Sequence, residues 1–269
     1  MNRFILPNLT AILIGIVPSS VSAFVATFPT ATFAPGNDVG AQIAGKDGWN
    51  LDGDPQYNPA DSRGLSYSNF LGSSLGAQLG GNYDVAPANG EVYLWHSTPQ
   101  ALDSASFSVT FVIQASNEFN LGRDEFGFSF RDAANTNLFT ISLVPVSGGD
   151  GDSYQVRYTV GSQTTVNAMD VNNDPLFISE NSPYSLAFDF TPSGANTNFT
   201  AMLDTTSFSG TATGLGAATI DRMCMEWNLV GDGGNNGLLV DNITLVPEPS
   251  AILLVSLSAL GFASRRKRG

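Results

Sequence analysis

The amino-acid sequence predicts an all-β protein, an antiparallel β-sandwich or jelly roll, and three observations predict it. The 269 residues are 42% hydrophobic with 18 Phe, which supplies a core and argues against disorder. They also hold 28 Gly and few strong helix formers, with 18 Asp against 6 Glu and only two Lys. Apolar residues recur at every second position in segment after segment, the period of a strand with one buried face. Between the segments stand turn-forming clusters, such as SGGDGDS at 147–153 and GDGGNNG at 231–237.

Taken in chain order, Glu91 to His96 supplies an early strand. Phe107, Val109, Phe111 and Ile113 alternate with polar residues, as do Phe126, Phe128 and Phe130. Phe139, Ile141 and Leu143 follow, then Tyr154, Val156, Tyr158 and Val160. Leu186, Phe188 and Phe190 lead to Phe199, Ala201 and Leu203. Met223, Met225, Trp227 and Leu229 precede a last strand over Leu238 to Leu245. Each strand has one apolar and one polar face, so two antiparallel sheets packed through their apolar faces follow.

The two ends read as targeting segments, an N-terminal signal helix and a C-terminal hydrophobic helix. Arg3 precedes the apolar run Leu9 to Val17, and Pro18 then breaks it. Val21-Ser22-Ala23 offers small residues at a cleavage position, so residues 1–23 are expected to be a signal peptide. At the other end Pro247-Glu248-Pro249 is followed by 15 uncharged residues, Ser250 to Ser264, and then by Arg265, Arg266, Lys267 and Arg268. As a helix that span measures ~22 Å, short of the ~30 Å hydrocarbon core. The basic cluster stays cytoplasmic, which leaves the body outside. A lead-in over 24–40, one sandwich domain over 41–246 and a sorting tail over 247–269 complete the expected organisation.

Between the ends, 24–246 keeps six basic residues against 23 acidic, a net charge of −17. Such a surface repels nucleic acid and anionic lipid and suits neutral partners or cations. One Cys excludes a disulfide framework and a Cys-based zinc site within the chain.

The tail closely resembles the PEP-CTERM sorting signal of bacterial surface proteins. Its Pro-Glu-Pro triplet, short apolar span and basic end stand in that order over Pro247 to Arg268. The resemblance implies an exosortase as partner and a transient stay in the inner membrane. It further implies a mature form at the cell surface or outside the cell, often beside extracellular polysaccharide. The core resembles the concanavalin A-like lectin/glucanase jelly roll in its laminin-G-like variety. That likeness rests on Gly45-Lys46-Asp47-Gly48-Trp49, FSVTFVIQ, EFGFSFRD and the closing LLVDNITLV. It implies a lectin-like body that binds carbohydrate or a hydrolase, often with one Ca²⁺ between loops.

No catalytic constellation stands out. Two carboxylates on one strand face, at glycosidase spacing, are missing. Asp124 and Glu125 are adjacent and point to opposite faces of a strand. Glu226 is alone on its strand, and His96, the one His, is expected to be structural. Cys224 is expected to be a small buried residue. Oxygen-rich loops are the metal candidates: Asp170, Asn172 and Asp174 lead, and Asp52 and Asp54 follow. The same residues are ordinary turn formers. Trp49 and Trp95 are the expected platforms for stacking on sugar rings. The expected function is a non-catalytic polysaccharide-binding or structural surface protein, and the alternative is a secreted glycoside hydrolase or polysaccharide lyase.

Overall fold

The computed structural model describes residues 23–28, 43, 45–53, 65–70, 74–80, 91–115, 123–146, 153–228 and 236–247. The expected signal helix and the hydrophobic tail helix lie outside these residues, as do Asp54, Asp150 and Asp152.

Among the described residues, sixteen strands are arranged in two antiparallel sheets. They are β1 (Phe24–Thr27), β2 (Trp49–Gly53), β3 (Leu65–Phe70), β4 (Ser74–Gly80), β5 (Glu91–Ala101) and β6 (Ala105–Ala115). Then come β7 (Glu125–Arg131), β8 (Asn137–Pro145), β9 (Ser153–Val160), β10 (Val166–Asn167) and β11 (Phe177–Ser179). The last are β12 (Pro183–Ser193), β13 (Asn196–Leu203), β14 (Thr206–Ala212), β15 (Thr219–Asn228) and β16 (Asn236–Pro247). The first sheet runs β14-β13-β12-β6-β16-β4-β3, with β1 also paired to β16. The second runs β10-β9-β8-β7-β15-β5-β2, with β11 paired to β9. Neighbours such as β6 and β16, or β15 and β5, are far apart in sequence, so the chain crosses repeatedly between the sheets.

The alternating residues meet between the sheets as expected. Phe107 contacts Phe130 at 5.1 Å between ring centres, and Phe139 contacts Phe199 at 5.0 Å and Phe190 at 5.2 Å. These edge-on arrangements suit the ring quadrupole. In β16 the inward residues change phase, from Leu238 and Val240 to Ile243 and Leu245. A bulge between Val240 and Asn242 supplies the extra residue that makes the change possible.

The sandwich begins earlier than the sequence suggests. Phe24–Thr27, expected to be part of a lead-in, is a strand whose register sets Phe24 against Leu245 and Thr27 against Asn242. Phe28 behind it is 3% exposed and packs on Trp49. Its two aromatic residues give this short segment enough apolar surface to join the core.

Candidate functional site: the outer face of the second sheet

Strand alternation sends the polar partners of the core residues to the outer face of the second sheet. Cross-strand register then lines them up in rows. One row reads Asp52, Tyr93, Glu226, Gly127, Ser142 and Arg157 across β2, β5, β15, β7, β8 and β9. The next reads Asn50, Trp95, Cys224, Ser129, Thr140 and Thr159. Arg222 stands opposite both Ser97 and Arg131 one step further along.

These residues form a connected network. Arg131 Nη2 donates to Glu226 Oε1 at 2.9 Å, and both side chains are 11% exposed. Ser129 Oγ donates to the same carboxylate oxygen, and Arg131 Nε donates to Ser129 Oγ at 3.3 Å. The Arg131 guanidinium lies 4.0 Å from the centre of the Tyr93 ring. Arg222 lies 4.3 Å from the centre of the Trp95 ring, donates to Asn135 and stands 3.9 Å from Asp52. Burial opposes the charge on Arg131, but the Glu226 carboxylate outweighs it and raises the pKa above the ordinary arginine range. Burial, aided by the nearby Glu226 charge, pushes the Cys224 thiol up to about 12. That thiol stays protonated and unreactive.

Beside the network the face drops to small residues. Gly127, Ser129, Thr140 and Ser142 occupy neighbouring positions on β7 and β8. A Cβ on Gly127 would lie 2.5 Å from the Ile141 carbonyl oxygen, so glycine is what lets the two backbones approach here. Beyond this floor Arg157 donates from Nε and Nη2 to Gln155 Oε1 at 3.0 and 2.8 Å, and it forms no ion pair among the described residues. Glu226 and Arg157 lie three strands apart, about 14 Å at the usual interstrand spacing. The face thus offers rings, guanidinium donors and a carboxylate around a floor of small polar residues. Such groups can bind hydroxyl-rich ligands; the central carboxylate is already committed to Arg131 and Ser129.

The structure sorts the remaining sequence candidates. Trp95 is half-buried on this face with one ring face against Arg222. Trp49 is 1% exposed and belongs to the core, which removes it as a stacking platform. It points inward because its cross-strand partner is His96, on the inner side of β5. His96, expected to be structural, contacts the Ser97 carbonyl through Nδ1 at 2.9 Å and the Asp47 carbonyl through Nε2 at 3.1 Å. Gly48 has φ 80°, and a Cβ there would come 2.6 Å from His96 Nε2. Asp124 is fully buried and accepts a 2.8 Å bond from Trp227 Nε1, while Glu125 accepts from Asn228.

The donors of the 170–174 loop do not fit a cation. Asp170 Oδ1 accepts from the backbone N–H of Asn172 at 2.8 Å and of Asp174 at 2.9 Å, and Oδ2 accepts from Asn172 Nδ2. Those N–H groups point at the oxygens where an ion would sit, and they hold the carboxyl below its usual pKa, the Asp174 bond most strongly. The alternation of Asp170, Asn172 and Asp174 is a turn staple. Asp52 stands on the exposed side of β2 toward Arg222, a poor setting for a second positive charge. Among the described residues, no three His, Cys, Asp or Glu side chains gather as a metal group.

Residues 245–268 match the PEP-CTERM protein-sorting motif. No curated protein matches the chain. Among solved structures the chain is similar to the lectin UEA-II in complex with galactose, at 11% identity and TM-score 0.48, covering 85% of this chain and 99% of that one. It is similar to the exoplasmic/lumenal domain of VIP36 in a Ca²⁺/Man-bound form, at 13% identity and TM-score 0.46, covering 74% and 83%. The CBM2 module of an evolved Dit from Lactobacillus casei BL23 phage J-1 is also similar, at 12% identity and TM-score 0.46, covering 76% and 91%.

Proposed function

We propose that this is an exported, exosortase-sorted surface protein whose body binds extracellular polysaccharide on the outer face of the second sheet and turns nothing over. The observation that carries the binding reading is the network of Tyr93, Trp95, Arg131, Arg222 and Glu226 beside a small-residue floor. Sugar hydroxyls exchange hydrogen bonds with fixed guanidinium and carboxylate groups, and the apolar faces of sugar rings rest on aromatic carbon. A body of net charge −17 favours neutral chains over anionic ones. Three of its six basic residues stand on this one face, which leaves the face closer to neutral than the rest.

The sorting part rests on the motif at 245–268. Its tail holds the precursor in the inner membrane until exosortase acts near the triplet, and the mature form then remains at the surface or in the matrix. Glu248→Ala and removal of Arg265 to Arg268 should each leave the tail uncut, read by intact mass of the protein from a host with the matching enzyme.

The binding test is a glycan array and affinity electrophoresis with the mature protein, with Ca²⁺ and with chelator, beside an assay for reducing-sugar release. Retention by at least one neutral polysaccharide is expected, weakened at least tenfold in Trp95→Ala and in Arg157→Ala. Equal retention of both variants would place binding elsewhere. Steady release of reducing ends, lost in Glu226→Gln, would establish the hydrolase or lyase instead.

A further inference from the structure

Strand β11 sets an aromatic side chain in solvent on the face that carries the network. Of the described Phe side chains, Phe177 alone is exposed, at 50%, while its neighbour Ile178 fills the core at 1%. The β9–β11 register places Phe177 opposite Gln155, on the outer face of the second sheet. Arg157 is two residues further along β9. It is therefore a diagonal neighbour of Phe177, about 7–8 Å away and within reach of long side chains. Asn167 of β10 stands opposite Arg157.

This corner is held firmly. Between β10 and β11 the chain leaves the sheet edge and returns to it. The Ala168 N–H donates to the Val156 carbonyl at 3.0 Å, and the Val156 N–H donates to the Leu176 carbonyl at 2.9 Å. Met169 pairs with Pro175 across the excursion, and Asp170 staples its tip through the N–H groups of Asn172 and Asp174. Gln155 takes Nε and Nη2 of Arg157, which orients the guanidinium and leaves its end-on edge, the paired Nη1 and Nη2 hydrogens, for an outside acceptor.

An exposed phenyl ring beside an oriented guanidinium edge suits a sugar. The C–H face of the sugar ring rests on aromatic carbon, and its neighbouring hydroxyls accept from the guanidinium. An apolar partner would need a contiguous apolar patch, and polar Gln155, Arg157 and Asn167 border the ring instead. The opposite end of the face repeats the pairing with Trp95 and Arg222. From β5 the order runs through β15, β7, β8 and β9 to β11, five interstrand spacings or about 24 Å. One sugar ring does not span that distance; several linked units do.

We propose that Phe177 and Arg157 form the far subsite of an elongated carbohydrate site, and that its ligand is an internal stretch of a linear neutral polysaccharide lying across the strands from Trp95 to Phe177. The inference rests on the binding reading above and deepens it by making chain length the basis of selection. Two weak subsites on one rigid sheet reinforce each other, because the second contact is intramolecular once the first is made.

The test uses the mature protein. Linear β-1,4-mannan, β-1,4-glucan and β-1,3-glucan are screened by affinity electrophoresis, and oligosaccharides of the retained polymer, from disaccharide to octasaccharide, are titrated by calorimetry. Affinity should rise at least tenfold from disaccharide to octasaccharide. Reduction of the octasaccharide's end sugar to the alditol should change it little. Phe177→Ala should keep the wild-type melting temperature, because the ring is exposed, and should lose at least tenfold in octasaccharide affinity, whereas Phe177→Trp should retain it. Equal affinity for disaccharide and octasaccharide would overturn the elongated site, and loss of binding on reduction would show that a chain end is read instead. If Trp95→Ala weakens binding and Phe177→Ala does not, the face binds sugar and the far subsite is wrong. If neither variant weakens it, or none of the three polymers is retained, the reading of the face falls first and the subsite with it.

Discussion

The Arg131–Glu226 pair is the most informative place to perturb this protein, because stability and the proposed binding meet there. Both side chains are 11% exposed, and the carboxylate also takes a bond from Ser129. Removing one partner leaves the other charge on this face without its ion-pair partner. Breaking a buried pair in this way costs about 3–5 kcal/mol, whereas replacing both partners with apolar residues of similar size is close to neutral. Glu226→Ala is therefore expected to lose about 3 kcal/mol, the low end of that range, because water still reaches both groups. Arg131→Met is expected to lose a similar amount through the orphaned carboxylate. Arg131→Met/Glu226→Leu should recover most of it, because no charge is then left unpaired. Urea unfolding of the mature protein, followed by tryptophan fluorescence, measures all three. Every one of them should lose polysaccharide binding, including the stable double variant, which separates the pair's role in binding from its role in folding. A loss under 0.5 kcal/mol for Glu226→Ala would mean that the pair is solvated in water, and the rigid network argued above would not exist.

Four further outcomes follow from the same geometry. Phe128→Asp puts an unpaired charge into the aromatic core and should cost several kcal/mol, enough to abolish the cooperative thermal transition. Asp124→Ala should cost about 1–3 kcal/mol by orphaning the Trp227 indole N–H, with Asp124→Asn retaining part of it in the same urea titration. Cys224 should resist a thiol reagent in the native protein at pH 8 and react fully in urea. Asp170 has a depressed folded pKa, so its contribution is complete above the unfolded value of about 4 and is lost as pH falls through the folded one. Asp170→Ala should thus melt below wild type at pH 7, with the gap narrowing under acid, and millimolar Ca²⁺ should shift both proteins equally.

What the sequence revealed depended on how local the physical signal was. Strands with a strict apolar alternation, such as Phe126, Phe128 and Phe130, announce both their period and their buried face. β3 and β4 carry LSYSNF and SLGAQLG, where small and polar residues break the alternation, and they were not legible. β14 has one large apolar residue, Phe208, and is held by its hairpin partner β13. The outer-face network was invisible as a unit, because register alone brings Asp52, Tyr93, Glu226 and Arg157 into one row. The local alternation at 170–174 was visible, but it reflected a turn satisfying its own backbone donors. Trp49 shows the same limit from another side: a lone aromatic in a short strand does not declare which face it takes, and β5 decides it.

The proposed binding face and the first residues of the sorting motif lie in different sheets, and that division has a consequence for order of events. The second sheet carries the proposed binding face, and none of its described strands includes a residue of the sorting motif. The first sheet holds the first and last described strands, β1 and β16, with β16 enclosed by β6 along its length and by β4 and then β1 on the other side. A change at the end of β16 therefore disturbs Leu245 and Phe24 while β5, β7, β8, β9 and β15 keep their own hydrogen-bond ladders. A precursor still held by its tail should already bind its polysaccharide, and its affinity should change little when the tail is lost. Immobilised precursor and mature protein can be compared on the same ligand in parallel. A tenfold gain on processing would show that the end of the first sheet shapes the proposed binding face, and the separation argued from topology would be wrong.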